Sequence, residues 1–202
     1  MNNQIISKER VKKFGEVFTN PREVNAMLDL VSSEFNKIDS TFLDPACGTG
    51  NFLLEILDRK LKKVVEIIKT GYQDFLPCEY NRQSLMALSS IYGIDILPDN
   101  IEKAKNRLYE HVKNQYCNCL SHPKRKYLEA VKAILDKNIQ VGDSLNGFDK
   151  IVFTKWSIVF DKVKREEYCF VEIPVKSDSK QSQLVPFLIR TLPLVYYWEL
   201  AE

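Results

Sequence analysis

No apolar run in this sequence approaches the ~20 residues that a membrane-spanning helix needs, so a helical membrane protein is excluded. The first residues are polar and charged, without the apolar stretch of a secretory signal, and a cytoplasmic, reducing setting is expected. Neither sign of charge dominates: 29 Lys and Arg against 27 Asp and Glu leave a formal net charge of +2. A self-sufficient DNA-binding domain shows a basic stripe, and none is evident here. The densest basic run, Lys124-Arg125-Lys126, reads as a solvated helix end. Histidine is scarce, at 2, and the cysteines are an odd number, 5. They lack Cys-x-x-Cys spacing, and the histidines lack His-x-x-x-His spacing, so no metal is expected. Internal repeats and low-complexity segments are absent as well.

What remains is the composition of an ordinary soluble domain, 45% hydrophobic over 202 residues, long enough to bury a core without staples. After a polar lead, Thr19 or Asn20 can cap a helix that has Pro21 in its first turn. Val24, Met27, Leu28 and Val31 recur on one face of it. A short apolar run, Thr41 to Leu43, ends at Asp44 and leads through Pro45-Ala46-Cys47-Gly48-Thr49-Gly50 into a long amphipathic segment. Phe52, Leu53, Ile56, Leu57, Leu61, Val64, Val65 and Ile68 are in helical phase there. The pattern is strand, glycine turn, helix. A helix capped by Asn81 should follow, then a strand from Ile91 to Ile94 closing at Asp95. A helix begins at Pro98, another spans about Lys124 to Lys137, and a third strand covers Asn138 to Val141 before Gly142-Asp143-Ser144. This alternation predicts an α/β fold with an open, mostly parallel, doubly wound sheet covered on both faces. Beyond Ser144 the pattern changes: Ile151 to Phe153 and Tyr168 to Val175 read as strands, Ser177 to Gln183 as a polar linker. The apolar tail from Leu184 to Tyr197, with Pro186 and Pro193, has no assignment from sequence.

Three acidic residues, Asp44, Asp95 and Asp143, close three expected strands. Ligands of open parallel sheets bind beyond the carboxyl ends of the strands, so all three should face one crevice. Gly48 and Gly50 permit a tight turn and a close approach of backbone to a ligand. A phosphate loop with Gly-Lys-Ser or Gly-Lys-Thr is absent, since Asn51 and Phe52 follow Gly50. The Gly-x-Gly-x-x-Gly dinucleotide pattern fails at Leu53. Helix-entry amides without a lysine favour a nucleoside with a small zwitterionic tail over a polyphosphate. Each residue also has a purely structural alternative. Thr19 and Asp95 can cap the helices that follow them, Asp44 can cap its turn, and Gly-Asp-Ser is ordinary turn chemistry. Cys47 reads as a small packing residue, and Trp156 and Trp198 as core or interface packing.

The stretch from Asp44 to Leu53, Asp-Pro-Ala-Cys-Gly-Thr-Gly-Asn-Phe-Leu, closely resembles the cofactor-binding motif of adenine-specific DNA methyltransferases. These are enzymes of restriction–modification systems, of the gamma arrangement and of type I relatives. Phe14 to Thr19 resembles their extra N-terminal motif, Tyr92 to Ile96 their ribose motif, and Gly142-Asp143-Ser144 their adenine-pocket motif. The resemblance implies a Rossmann-like, class I methyltransferase core over residues 1–145 that binds S-adenosylmethionine. Residues 146–202 would then be a C-terminal remnant of the same domain or an interface tail. It further implies that Thr19 and the backbone near Ala46 hold the methionine carboxylate and amine, and that Asp44 anchors the amino end. The glycine turn with Gly48 and Gly50 approaches the cofactor. Asp95 binds the ribose hydroxyls, Ile96 or Leu97 covers the adenine ring, and Asp143 accepts from the adenine amine.

One part of that family's machinery is absent from this sequence. Adenine methyltransferases carry Asn-Pro-Pro-Tyr, or a close variant, at the end of the fourth strand. There it orients the target amine and stacks on the flipped base. No Pro-Pro dipeptide occurs anywhere in the sequence. Phe148 to Val152 could begin a fourth strand, but Phe153-Thr154-Lys155-Trp156 follows. A target-recognition domain is expected to be missing too. The expectation is therefore a cofactor-binding domain without the family's catalytic motif and with its catalytic residues unknown, acting on DNA through a partner chain or a missing domain. The partner would be a complementing methyltransferase or restriction subunit. The rival expectation is a catalytically silent module that binds S-adenosylmethionine or scaffolds a complex.

Overall fold

The computed structural model describes Glu9, Lys12 and residues 19–71, 77–174 and 182–201. Phe14 to Phe18, most of the expected N-terminal motif, lie outside the described residues. The first helix, α1, runs Pro21–Asp29. Its cap is Asn20, whose side chain accepts from the Arg22 amide at 3.0 Å while Glu23 accepts from the Asn20 amide at 3.3 Å. Thr19 is therefore not the cap. Only Val24 and Leu28 of the expected apolar face are buried. Val31 is exposed beyond the end of the helix, and Met27, within it, is exposed as well.

The glycine turn joins β1 (Phe42–Asp44) to α2 (Asn51–Gly71). Leu53, Ile56, Leu57, Leu61, Val64 and Ile68 of α2 are buried at the spacing that the 3.6-residue period requires. Lys60 interrupts that stripe and is also fully buried. Its ammonium donates to the carbonyls of Ile38 and Ser40 at 2.7 and 2.6 Å and to Ser90 Oγ at 2.8 Å, which satisfies its three N–H donors. Burial nevertheless lowers its pKa to about 8. The lysine thus ties together the two segments that lead into β1 and into β2.

Helix α3 (Pro77–Ser89) precedes β2 (Ile91–Asp95). It begins four residues before Asn81, with proline in first position, so the expected cap at Asn81 is corrected. Asn81 is buried inside the helix and donates to the Tyr197 hydroxyl at 3.1 Å. Then come α4 (Pro98–Cys119), α5 (Arg125–Asn138) and β3 (Ile139–Val141). The strands form one parallel sheet in the order β1-β2-β3, with Phe42 opposite Ile91 and Gly93 opposite Ile139.

The parallel alternation stops at Val141. Phe148–Lys150 is a 3-10 turn rather than the start of a strand. The chain then builds a second, antiparallel sheet from β4 (Phe153–Val159), β5 (Lys162–Pro174) and β6 (Ser182–Tyr196), in that order. The apolar tail is therefore an edge strand. Its prolines fit that place: Pro193 falls where two residues of β6 oppose one of β5, a bulge that lacks a regular ladder bond. The second sheet shares the main core through Ile158 and Val163, joined by Leu200 beyond its last strand. Trp156 donates to Asn138 Oδ1 at 2.8 Å, and the Tyr92 hydroxyl to the Thr154 carbonyl at 2.7 Å. The expected mostly parallel sheet thus amounts to three strands, with an antiparallel sheet packed beside it.

Candidate functional site

The carboxyl ends of β1, β2 and β3 meet at one crest, and three hydrogen bonds cross-link their loops. Gly48 N–H donates to Asp95 Oδ2 at 2.9 Å, which ties the turn after β1 to the end of β2. Gly142 N–H donates to the Asp95 carbonyl at 3.0 Å, which ties β2 to the turn after β3. Ser144 Oγ reaches over β2 to the Pro45 carbonyl at 2.7 Å. Asp44, Ala46, Gly48, Gly50, Asp95, Ile96 and Asp143 are therefore all on neighbouring loops of one sheet end.

Two glycines in the turn take backbone conformations that side chains resist, Gly48 at φ 53° and Gly50 at φ 82°. A Cβ on Gly48 would meet nothing within 4 Å, so the space above the turn is open. A Cβ on Gly50 would lie 3.1 Å from Ala104 Cβ, because α4 backs closely onto the turn there. Gly93 has a different reason. Its missing side chain makes room for Leu53 and Cys47, which lie 2.5 and 3.1 Å from where a Cβ would stand.

The carboxylates differ in how they are used. Asp44 Oδ1 accepts from the Ala46 amide at 3.1 Å. Burial raises its pKa, the Ala46 bond opposes that, and the nearby Asp95 charge adds to it. Asp95 is engaged at both oxygens: Oδ2 by Gly48, Oδ1 by the Leu97 amide at 2.9 Å and Asn100 Nδ2 at 3.3 Å. It fastens the glycine turn and holds the approach to α4, but the N-cap of that helix is Leu97, with no side-chain cap bond, so the capping role open to Asp95 is not taken. Asp143 accepts at Oδ1 from the amides of Leu145 and Asn146, at 2.9 and 3.0 Å, and at Oδ2 from Asn146 Nδ2 at 3.1 Å. Those bonds hold it below the usual carboxylate range. The turn roles open to Asp143 and Asp44 are thus in use. Ile96 stands at the crest with its side chain largely exposed. Cys47 is 5% exposed, and burial, then the charges of Asp44 and Asp95, push its thiol well above its ordinary value. It packs; it is not a nucleophile.

Thr19 joins the site through its carbonyl, which accepts from Asn51 Nδ2 at 3.2 Å. Asn51 Oδ1 in turn accepts from Arg107 at 2.9 Å. Arg107, Asn51 and Ser144 are the site residues that sequence reasoning missed. Arg107 carries no signal of its own, since a charged residue within a helical pattern reads as solvated. Among the described residues, no group of three or more His, Cys, Asp and Glu side chains is placed to hold a metal. Among the same residues, no helix is long and apolar enough to cross a membrane.

The crest offers carboxylates and carbonyls, with the one nearby guanidinium turned to Thr49 and Asn51. Such a set matches a donor-rich, cationic ligand and repels a polyphosphate. Phe42 N–H donates to the Ser90 carbonyl, toward β2, so the N–H and C=O of Leu43 point the other way. No strand among the described residues pairs with that outer side of β1.

The family described as N-6 DNA Methylase matches residues 4–181. Over 103 residues, 50% of this chain, the sequence is 32% identical to the type II methyltransferase M.VspI of Vibrio sp. (strain 343). The match spans 19% of that protein's length. No solved structure matches the chain.

Proposed function

The chain belongs to the N-6 DNA methylase family, and from that premise we propose that it is the S-adenosylmethionine-binding part of an adenine-specific DNA methyltransferase. The observation that carries the reading is the bond from Gly48 N–H to Asp95. It fixes the glycine turn against the carboxylate that ends the neighbouring strand, at the place where open parallel sheets hold nucleosides. The residues present fit this cofactor. The open space above Gly48 admits close approach, and the acceptor-rich crest suits an ammonium, ribose hydroxyls, an adenine amine and a sulfonium charge. Asp44 faces the ammonium, with Thr19 and the backbone near Ala46 beside the amino-acid end. Asp95 accepts from a ribose hydroxyl with the Oδ2 lone pair that Gly48 leaves free, Leu97 and Asn100 both being on Oδ1. Ile96 lies on the adenine ring, and Asp143 accepts from its amine. The three parallel strands are, in this reading, the first half of a Rossmann-like methyltransferase core. The bound cofactor supplies the methyl group.

A second element of the reading concerns the acceptor. The groups that orient an adenine amine are placed outside these residues, on a partner chain or a further domain, together with the DNA-reading surface. What favours this is the bare outer side of β1 beside the open groove lined by Thr41, Leu43, Tyr92, Phe153, Tyr168 and Phe170. A fourth parallel strand against β1 would create the switch point at which such sheets bind their ligands. It would also deliver its carboxyl end next to Asp44.

Calorimetric titration with S-adenosylmethionine tests the cofactor claim. The native chain is expected to bind. Asp95→Asn, which keeps one acceptor oxygen for the turn, should bind about ten- to a hundredfold more weakly, the usual cost of losing bonds to a charged acceptor. A folded native chain that gives no heat of binding overturns the proposal.

A further inference from the structure

We propose that Arg107 is a positioning residue of the glycine turn, locking the peptide between Thr49 and Gly50 and coupling it through Asn51 to Thr19. The inference rests on the reading of that turn as the cofactor cradle. Arg107 sits on α4, one turn after Ala104, whose small side chain lets the helix approach Gly50. From there Nη1 donates to the Thr49 carbonyl at 2.5 Å and to Asn51 Oδ1 at 2.9 Å, with Thr49 Oγ1 at 3.2 Å. The other end of the same peptide is fixed as well, because Gly50 N–H donates to the Cys47 carbonyl at 2.8 Å. A peptide held at both its carbonyl and its amide cannot rotate, and this one contains the φ 82° glycine on which the turn depends.

The placement works against local stability. Arg107 is half-buried, and burial lowers its pKa. Its contact is with Asn51, the first residue of α2, and a cation at a helix N-terminus faces the positive end of the dipole. A residue that only had to fill this space would not carry charge. The charge is explained by the Thr49 carbonyl, which needs a strong donor from behind if its peptide is to stay oriented when a ligand arrives in front. The relay goes further: Asn51, oriented by Arg107, donates to the Thr19 carbonyl. One guanidinium therefore sets two parts of the site that are 30 residues apart in sequence, Thr19 and Thr49.

Amide hydrogen exchange and calorimetry on the full chain test this. In Arg107→Met, which keeps the apolar stem, exchange at Gly50 should rise about tenfold or more, and S-adenosylmethionine affinity should fall by a similar factor. Exchange at Leu57 and Leu108, in the buried parts of the same two helices, should not change. Arg107→Lys, which can still reach the Thr49 carbonyl, should recover part of both losses. Combining Arg107→Met with Asn51→Ala should cost less than the sum of the two, since they break one relay. Unchanged exchange at Gly50 overturns the proposal. So does a uniform loss of protection along α2 and α4, which would mark Arg107 as a packing residue. If Arg107→Met does not fold, Arg107→Lys decides by the same comparison. A native chain that binds no S-adenosylmethionine would sink the cofactor reading alone, because exchange at Gly50 still reports on the lock.

Discussion

Gly48 and Gly93 both adjoin Cys47, one in sequence and one in space, yet each is glycine for an unrelated reason. Gly48 needs the left-handed backbone and has free space above it; Gly93 has an ordinary backbone and no space. The two should respond differently to substitution. Gly48→Asn should cost well under the ~1–2 kcal/mol that the left-handed region charges most residues, because asparagine tolerates it. Gly93→Ala must push Leu53 or Cys47 aside in a closed core, at about 1–3 kcal/mol. Chemical denaturation of the two variants beside the native chain measures both. Equal losses would show that the spaces around the two residues are not as described. Cys47 belongs to the same cluster, and the sequence allowed its role to be read correctly from the lack of any activating neighbour. What it could not supply was the reason its thiol is suppressed, since the charges of Asp44 and Asp95 converge on it only in the fold.

At the scale of elements, the second sheet is fastened to the first part of the chain by Glu167 of β5. Only 4% exposed, it accepts from Arg190 of β6 at 2.6 Å and from Lys137 of α5 at 3.2 Å. Those bonds, that of Arg190 above all, hold its carboxyl below the usual glutamate value. A depressed carboxylate stabilises the folded state at pH values above its unfolded value of 4.5, and that contribution is lost as pH falls through the lower, folded value. Glu167→Gln should accordingly lower stability by about 1.5–3 kcal/mol at neutral pH, the range for hydrogen bonds to charged groups. The gap to the native chain should close progressively below pH 4.5. Thermal melts of both forms between neutral pH and pH 3 read this out; a gap that stays constant would remove Glu167 as the fastener. The strands it joins explain a limit of sequence reading. β6 carries two prolines and apolar residues on both faces, so no period of two could appear in it, and only pairing with β5 makes it a strand.

At the scale of the whole molecule, the parallel sheet has its first strand at its edge among the described residues. If the reading of a divided enzyme is right, the chain alone should transfer no methyl group to DNA. It should gain activity when a polypeptide carrying Asn-Pro-Pro-Tyr is added. Tritiated methyl transfer from S-adenosylmethionine to adenine in DNA is the assay, with and without that second polypeptide. Positioning errors alone cost about a hundredfold in rate, so the difference should be at least that large. Transfer by this chain alone would show that it holds acceptor-orienting groups of a different kind. Cofactor binding without transfer under any complementation would leave the silent module as the reading.

The sequence by itself determined the local pieces: the glycine turn, the phase of α2, the starts of α1 and α4, and the three acidic strand ends. These follow from backbone sterics, capping and periodicity, which act over a few residues. The family was legible for the same reason, since its motifs are short and contiguous. Only the tertiary structure decided which strand lies at the edge of the sheet, because neither motif nor period specifies what is absent beside a strand. It alone decided that the segment after β3 turns antiparallel, since that depends on Trp156, Thr154 and Glu167 finding partners on β2 and α5. And it alone brought Arg107 to Thr49, across 58 residues of chain, where a charge that reads as solvated becomes a half-buried donor.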